Sequence, residues 1–395
     1  MIRIALSMLL GDRLKYIGVL FGVAAMSFLT TLLGSMFAGM LSRTYALVDD
    51  HAHADLWVMD PACETVTQTI NMPETAVDRV RGVTGVASAA RIALGGVPAR
   101  FPHGRFVTID VIGVDDSTLE GVPPTHPGLA LRLREPGIVL LDSGGSRGQL
   151  VTPSRPADAW ARGAPRLDAP TRPLRNGDTL LVNNAEVRVA GIVAGKPRMN
   201  PVPVLYTTYS GANRVLPGQR HRLTFVTATV TPGHDHAAVA REIERATGLR
   251  ARTSAEFRRD TVIWFLKNSD VLSHVAVIVM FATAVGLAIT GLLLYMFTTE
   301  NARIYATLKA LGASDSLLLR MVVAQALTAG ALGYGLGMGL CCAIGAVLAP
   351  TGFPFRLMPY TPVIVAALVL AVTALAAVFS ARAVLRVEPG IVFKG

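Results

Sequence analysis

Cysteine, charge and recognisable catalytic motifs are all scarce in this sequence, and each scarcity removes a class of protein. Its three cysteines are Cys63, which stands alone, and the adjacent Cys341 and Cys342 inside an apolar run. They form no disulfide framework and read as small side chains tolerant of apolar surroundings. Charged residues make up 16% of the chain against 51% hydrophobic ones. Soluble domains carry roughly 25% charged residues, so the apolar sequence must be concentrated in segments. No G-x-x-x-x-G-K-[ST] occurs: Gly144-Gly145-Ser146-Arg147-Gly148 lacks both the lysine and the spacing, which excludes a P-loop ATP site. H-E-x-x-H and C-x-x-C are missing too, and no catalytic residue, cofactor site or metal site is expected in the chain.

Present instead is an excess of positive charge, formally +10. Its distribution argues against nucleic acid. Residues 46–268 hold 26 Lys and Arg against 22 Asp and Glu, and the rest holds 11 against 5, with the basic residues at the ends of apolar runs. That is the pattern of membrane topology.

Four runs are long enough to span a bilayer. The first, Tyr16 to Met40, contains no charged residue and is too long for a signal-peptide core. The others run from Val271 to Thr299, between Arg320 and Pro350, and from Thr361 to Ser380. Arg3, Arg13 and Lys15 precede the first span. Arg303, Lys309 and Arg320 lie between the second and third, and Arg382, Arg386 and Lys394 follow the fourth. The positive-inside bias predicts cytoplasmic termini and an extracytoplasmic segment 46–268. Residues 1–15 read as an interfacial amphipathic helix. In the third span Gly333/Gly337 and Gly335/Gly339 are GxxxG pairs, expected to pack within the chain against span two or four.

Residues 46–268 mix helix and strand signals. Helices are expected over Glu74–Arg81 and Ala237–Ala246, and strands over Val86–Leu94, Val107–Val114, Ile138–Leu141, Val226–Val230 and Leu249–Arg252. Thr179–Asn183 and Glu186–Val193 flank an Asn183-Asn184 turn and read as a hairpin. Residues 151–173, rich in Pro, Arg and Ala, read as a flexible insertion. The histidines read mostly as surface groups. His51 and His53 with Asp55 would share a strand face and suit a metal, but exposed polar residues are the commoner case. Asp235, between His234 and His236, reads as a helix cap. His274, near the outer end of the second span, is an ionisable group at a membrane boundary and a functional candidate.

The loop after the second span runs Glu300-Asn-Ala-Arg303-Ile-Tyr305-Ala-Thr-Leu-Lys309-Ala-Leu-Gly312-Ala-Ser314, a basic amphipathic helix closed by a glycine turn. It resembles the signature of the FtsX-like permease superfamily, which includes the macrolide exporter, lipoprotein-release permeases and the cell-division protein FtsX. Ala54-Asp55-Leu56-Trp57-Val58 and Arg175-Asn-Gly177-Asp178 are similar to turns of the macrolide-exporter periplasmic core. Val387 to Gly395 is similar to the ends of heterocyst-glycolipid and haem exporter permeases.

The resemblance implies a helical membrane protein with four spans and a large α+β extracytoplasmic domain between the first and second. Its parts would be an interfacial helix and span one (1–45), the outer domain (46–268) and an FtsX-like domain with spans two to four (269–395). It implies a homodimer in a bacterial cytoplasmic membrane, working with a separate ATPase that binds ATP and Mg. That assembly would export or extract a hydrophobic or amphiphilic compound by mechanotransmission. An adaptor protein and an outer-membrane channel are partners that an export assembly would add. The coupling site would comprise Glu300, Arg303, Tyr305, Leu308, Lys309, Leu311 and Gly312. Arg303 and Lys309 would suit acidic or polar groups on the ATPase, and Tyr305, Leu308 and Leu311 an apolar groove. Met26, Met36, Met40 and His274 would line a cargo cleft. Haem as cargo, and a signal transmitter acting on an extracytoplasmic partner, remain the alternatives.

Overall fold

A computed structural model describes residues 13–123, 126–143, 148–159, 165–218 and 223–385. The expected interfacial helix over residues 1–15 lies almost wholly outside them, as does the C-terminal segment from Val387. The chain divides into two compact units, one formed by residues 1–40 and 269–395, the other by residues 41–268.

The first unit holds four helices long and apolar enough to cross a membrane. They are Tyr16–Thr44 within α1 (Arg13–Thr44), α8 (Val271–Glu300), α10 (Asp315–Leu348) and Thr361–Arg382 within α11 (Thr361–Leu385). The shortest apolar stretch, 22 residues, rises about 33 Å, enough for a hydrocarbon core of about 30 Å. Lipid supplies no hydrophobic drive between helices, so contact depends on small residues and polar ties. Span one meets span two in a ladder of complementary sizes. A Cβ at Gly18 would stand 3.0 Å from Leu293, one at Gly22 2.8 Å from Ile289, and one at Gly286 2.7 Å from the Met26 sulfur. Thr298 and Ser380 share a hydrogen bond between α8 and α11, and the Ser380 hydroxyl also reaches the Leu294 carbonyl at 3.0 Å. The span-three glycines pack within the chain but not as expected: Gly333 and Gly337 close on Val23, Ala24 and Ser27 of span one, while Gly335 and Gly339 face open space. Only Gly330 meets span four, at Thr373.

The second unit is built on a nine-stranded mixed sheet. Its strands are β1 (Leu56–Met59), β2 (Val86–Arg100), β3 (Phe106–Val114), β4 (Ile138–Asp142), β7 (Thr179–Val182), β8 (Ala185–Val193), β9 (Val204–Thr208), β10 (Phe225–Val230) and β11 (Arg250–Thr253). The order is β11-β1-β10-β2-β3-β9-β4-β8-β7, and β2 also pairs with β7. Helices cover both faces. On one side α3 (Ala76–Arg81), α5 (Tyr209–Val215) and α6 (His236–Thr247) bury Val77, Val80, Val215 and Ile243. On the other, α2 (Ala46–Asp50) and α7 (Ser254–Asn268) contribute Leu47, Val48 and Phe257 around Trp57 and Phe225. α4 (Pro127–Leu131) is a single turn opened by His126, whose side chain accepts from the Gly128 N–H.

The segment Ala54–Val58, expected as a turn, is largely strand β1. All four β1 residues are buried, Leu56 and Val58 in one cluster and Trp57 and Met59 in the other, so the run lacks the alternation that marks a strand with one wet face. The Asn183-Asn184 hairpin is as expected, with both asparagines at positive φ (47° and 66°), as a two-residue primed turn requires. The supposed flexible insertion is anchored at both ends. β5 (Val151–Pro153) pairs with β6 (Thr171–Pro173), and Arg172 holds Asp178 through two hydrogen bonds of 2.8 Å. That bidentate guanidinium keeps the Asp178 carboxyl below the usual carboxylate range.

Candidate functional site

The loop between spans two and three folds into helix α9 (Ala302–Ala310). Asn301 separates it from α8 and ties back, its side-chain N–H donating to the Phe297 carbonyl at 2.8 Å. The C-terminal end is a Schellman closure. Gly312 N–H bonds the Lys309 carbonyl at 3.0 Å, and Ala313 N–H bonds the Leu308 carbonyl at 2.9 Å, with Gly312 at φ +94°. A Cβ at Gly312 would meet nothing, so backbone conformation alone requires glycine there.

Two faces of α9 have different roles. Tyr305 is fully buried among Leu318, Met321, Val322 and Ala326 of α10, with its hydroxyl 3.2 Å from Gln325 Oε1. Burial raises its phenol above the ordinary tyrosine value. Leu308 is half-buried against the same cluster. Tyr305 is therefore not available to a partner's groove, contrary to the sequence expectation: the ring fills the angle between α9 and α10. Lys309 is likewise committed within the chain, its Nζ 2.9 Å from Asp315 Oδ1 at the start of α10. The exposed face carries Glu300, Arg303, Ile304, Thr307 and Leu311, and Leu311 is 80% exposed. Ile304, which was not among the expected site residues, is exposed on this face. Apolar residues at 304, 305, 308 and 311 form two overlapping stripes at helical spacing, which periodicity cannot assign to inside or outside.

The residues expected to line a cargo cleft do not gather. Met26 is 2% exposed, packed against Gly286 in the seam between spans one and two. It has no greasy surface to offer, because the small Gly286 opposite it draws the side chain inward. Met36 and Met40 are half-buried. His274 is exposed, and its Nδ1 lies 2.6 Å from the Asp270 carbonyl one turn earlier.

The histidines of the outer domain are no metal site among the described residues. His51 is wholly buried in a turn after α2, not on a strand. Its Nδ1 stands 2.9 Å from the Leu47 carbonyl and its ring meets Trp57 edge-on at 5.4 Å. Burial pushes its pKa down to about 3. His53 instead faces Glu120 at 3.5 Å, and Asp55 accepts from the Val230 N–H at 2.8 Å. Asp235 caps α6 as expected, accepting from Ala238 N–H at 3.0 Å. Gly144-Gly145-Ser146-Arg147-Gly148 spells G-x-S-x-G, against the expectation that this pattern is missing from the sequence. Residues 144–147 lie outside the described residues, and strand β5 follows them where a nucleophile elbow needs a helix.

Two family models match the chain. The model of the MacB-like periplasmic core domain covers residues 16–246, and that of the FtsX-like permease C-terminal domain covers residues 276–389. No curated protein matches. Similar solved structures include the periplasmic region of MacB from Actinobacillus actinomycetemcomitans, at 12% identity and a TM-score of 0.34, covering 56% of this chain and 96% of that one. Another is the extracellular domain of the noncanonic ABC-type transporter YknZ from Gram-positive bacteria, at 12% identity and a TM-score of 0.31, covering 51% and 98%.

Proposed function

Because the chain belongs to the MacB-type, FtsX-like family of ABC transporter permeases, we propose that it is the non-catalytic membrane subunit through which a separate ATPase drives movement of an outer domain. Helix α9 is the coupling element. One observation carries this reading: the helix is fastened to α10 by Tyr305 and by the Lys309–Asp315 pair while presenting Arg303, Ile304 and Leu311 outward. A force applied to that outer face has a stiff route into the third span. ATP and Mg are bound by the partner, and the chain works as a homodimer with α9 and both termini in the cytoplasm. The cargo is a hydrophobic or amphiphilic compound, moved by mechanotransmission, with an adaptor protein and an outer-membrane channel as further partners. Physically, the dimer needs two postures that differ in their affinity for the ATP-loaded ATPase.

Co-purification with the cognate ABC ATPase tests this. Wild type and Tyr305→Phe, which alters only the inner face, are expected to recruit the ATPase and stimulate it. Arg303→Glu with Leu311→Asp is expected to lose at least tenfold in recruitment while remaining folded. Equal recruitment by all three proteins would sink the assignment of α9.

A further inference from the structure

The outer domain contains a cavity of about 450 Å³ lying entirely within residues 41–268. That volume is within the range of small-molecule sites, roughly 300–1,000 Å³. Its apolar wall includes Leu94, Ile112, Met199, Trp264 and Phe265. Its floor is the pair of strands β2 and β3, where Leu94 faces Ile112 and Gly96 faces Asp110 directly across the ladder. Gly96 keeps that floor open, since a Cβ there would stand 3.3 Å from Asp110 Oδ1.

The polar groups around the cavity are unequal. Thr65 and Thr67 hydroxyls bond each other at 2.8 Å, and Thr261 Oγ1 accepts the Val66 N–H at 3.3 Å. Arg198 is paired with Asp50 at 3.2 Å and lies 3.5 Å from the Tyr206 hydroxyl. Asp110 differs. Among the described residues its carboxylate takes part in no hydrogen bond, and burial holds it above the ordinary carboxylate value, with Arg198 only partly opposing. A half-buried carboxylate on an apolar floor, with no hydrogen bond among the described residues and only partly opposed by a guanidinium whose ion pair is with Asp50, has room for a further cationic partner.

We propose that this cavity binds a compact amphiphile with an aromatic or aliphatic body and one cationic amine, the amine on Asp110 and the body against Trp264, Phe265 and Met199. The binding site stands on the geometry of the domain alone. That its occupant is the transported cargo rests on the permease reading. Arg43 and Thr44, at the end of span one, and Trp264 and Phe265, shortly before span two, all line the cavity. Occupancy therefore touches both segments by which the domain is joined to the spans in the chain.

Photo-labelling of the full chain in lipid nanodiscs, without ATPase, tests the site with 4-benzoylbenzylamine as probe and 4-benzoylbenzoate as its anionic counterpart. The amine is expected to label peptides carrying Met199 or residues 261–265. Asp110→Asn should reduce that labelling roughly tenfold, the scale of one charge-assisted hydrogen bond, with the unfolding temperature nearly unchanged. Gly96→Leu, which fills the floor without removing the charge, should abolish it. Labelling that ignores Asp110→Asn, or is as strong with the carboxylate, would overturn the proposal. Failure of the chain to recruit an ATPase would remove the cargo role and leave the labelling result standing.

Discussion

Burial sets what a single side chain can do, and His51 is the clearest case. Its ring sits between the Leu47 carbonyl and Trp57, and the backbone of Gly121 lies against its Nε2, which has no hydrogen-bond partner among the described residues. A proton added there would be a buried, uncompensated charge, so the folded pKa falls from 6.5 to about 3. The unfolded chain takes up that proton near pH 6.5 and the folded one does not. Stability is therefore intact above about pH 6.5 and is lost as pH falls toward 3, at about 1.4 kcal/mol per pH unit for this one group. Thermal unfolding of the full chain between pH 7 and pH 5 should show a falling midpoint, and His51→Gln should flatten that fall. An unchanged slope in the variant would assign the pH dependence elsewhere. Tyr305 teaches the same lesson in α9: its type suited either a partner's groove or the protein's own core, and only packing against Leu318 and Met321 separates the two.

Among the elements, the membrane helices show how small residues choose neighbours. Gly333 and Gly337 lie so close against span one that a Cβ at Gly337 would run into the Ala24 carbonyl oxygen and stand 2.8 Å from the Phe28 amide nitrogen and the Ser27 side chain. Gly335 and Gly339, two residues further round, have open space. Gly337→Leu should therefore force spans one and three apart, costing about 1–3 kcal/mol as an overpacked core does, while Gly335→Leu should leave the monomer's unfolding midpoint within error. Differential scanning of the two variants in detergent decides this, and equal losses would refute the pairing. The glycine pattern was visible in the sequence, but its partner helix was not. GxxxG records a demand for close approach and carries no address. A different face of span one holds Gly18 and Gly22, a second GxxxG pair, and receives Leu293 and Ile289 of span two. In the outer domain the wet-faced elements α6 and the β7–β8 hairpin were legible, because alternation, helical period and turn residues agree there. β1 and β9 are buried along their whole length, and a uniformly apolar run does not announce its conformation.

For the whole molecule, the family fixes the class of machine, and orientation is what remains to be tested. Positive residues at 303, 309 and 320 predict that α9 faces the cytoplasm. In spheroplasts, a membrane-impermeant maleimide should label Arg241→Cys on the exposed face of α6 and leave Leu311→Cys untouched until the membrane is opened. Labelling of Leu311→Cys from outside would invert the topology and overturn the coupling role proposed for α9.

The linear order of residues was sufficient for the number of spans, their approximate limits, the inserted α+β domain and the family. Those depend on length, hydropathy and local turn chemistry, which are properties of contiguous segments. It was not sufficient for which face of α9 looks outward, which helix receives Gly337, or that Asp110, Gly96 and Trp264 border one cavity. Those answers depend on which distant segments exclude water from one another. Thr261, Trp264 and Phe265 share a cavity with Asp110, about 150 positions away along the chain, only because β2, β3 and α7 pack in one domain.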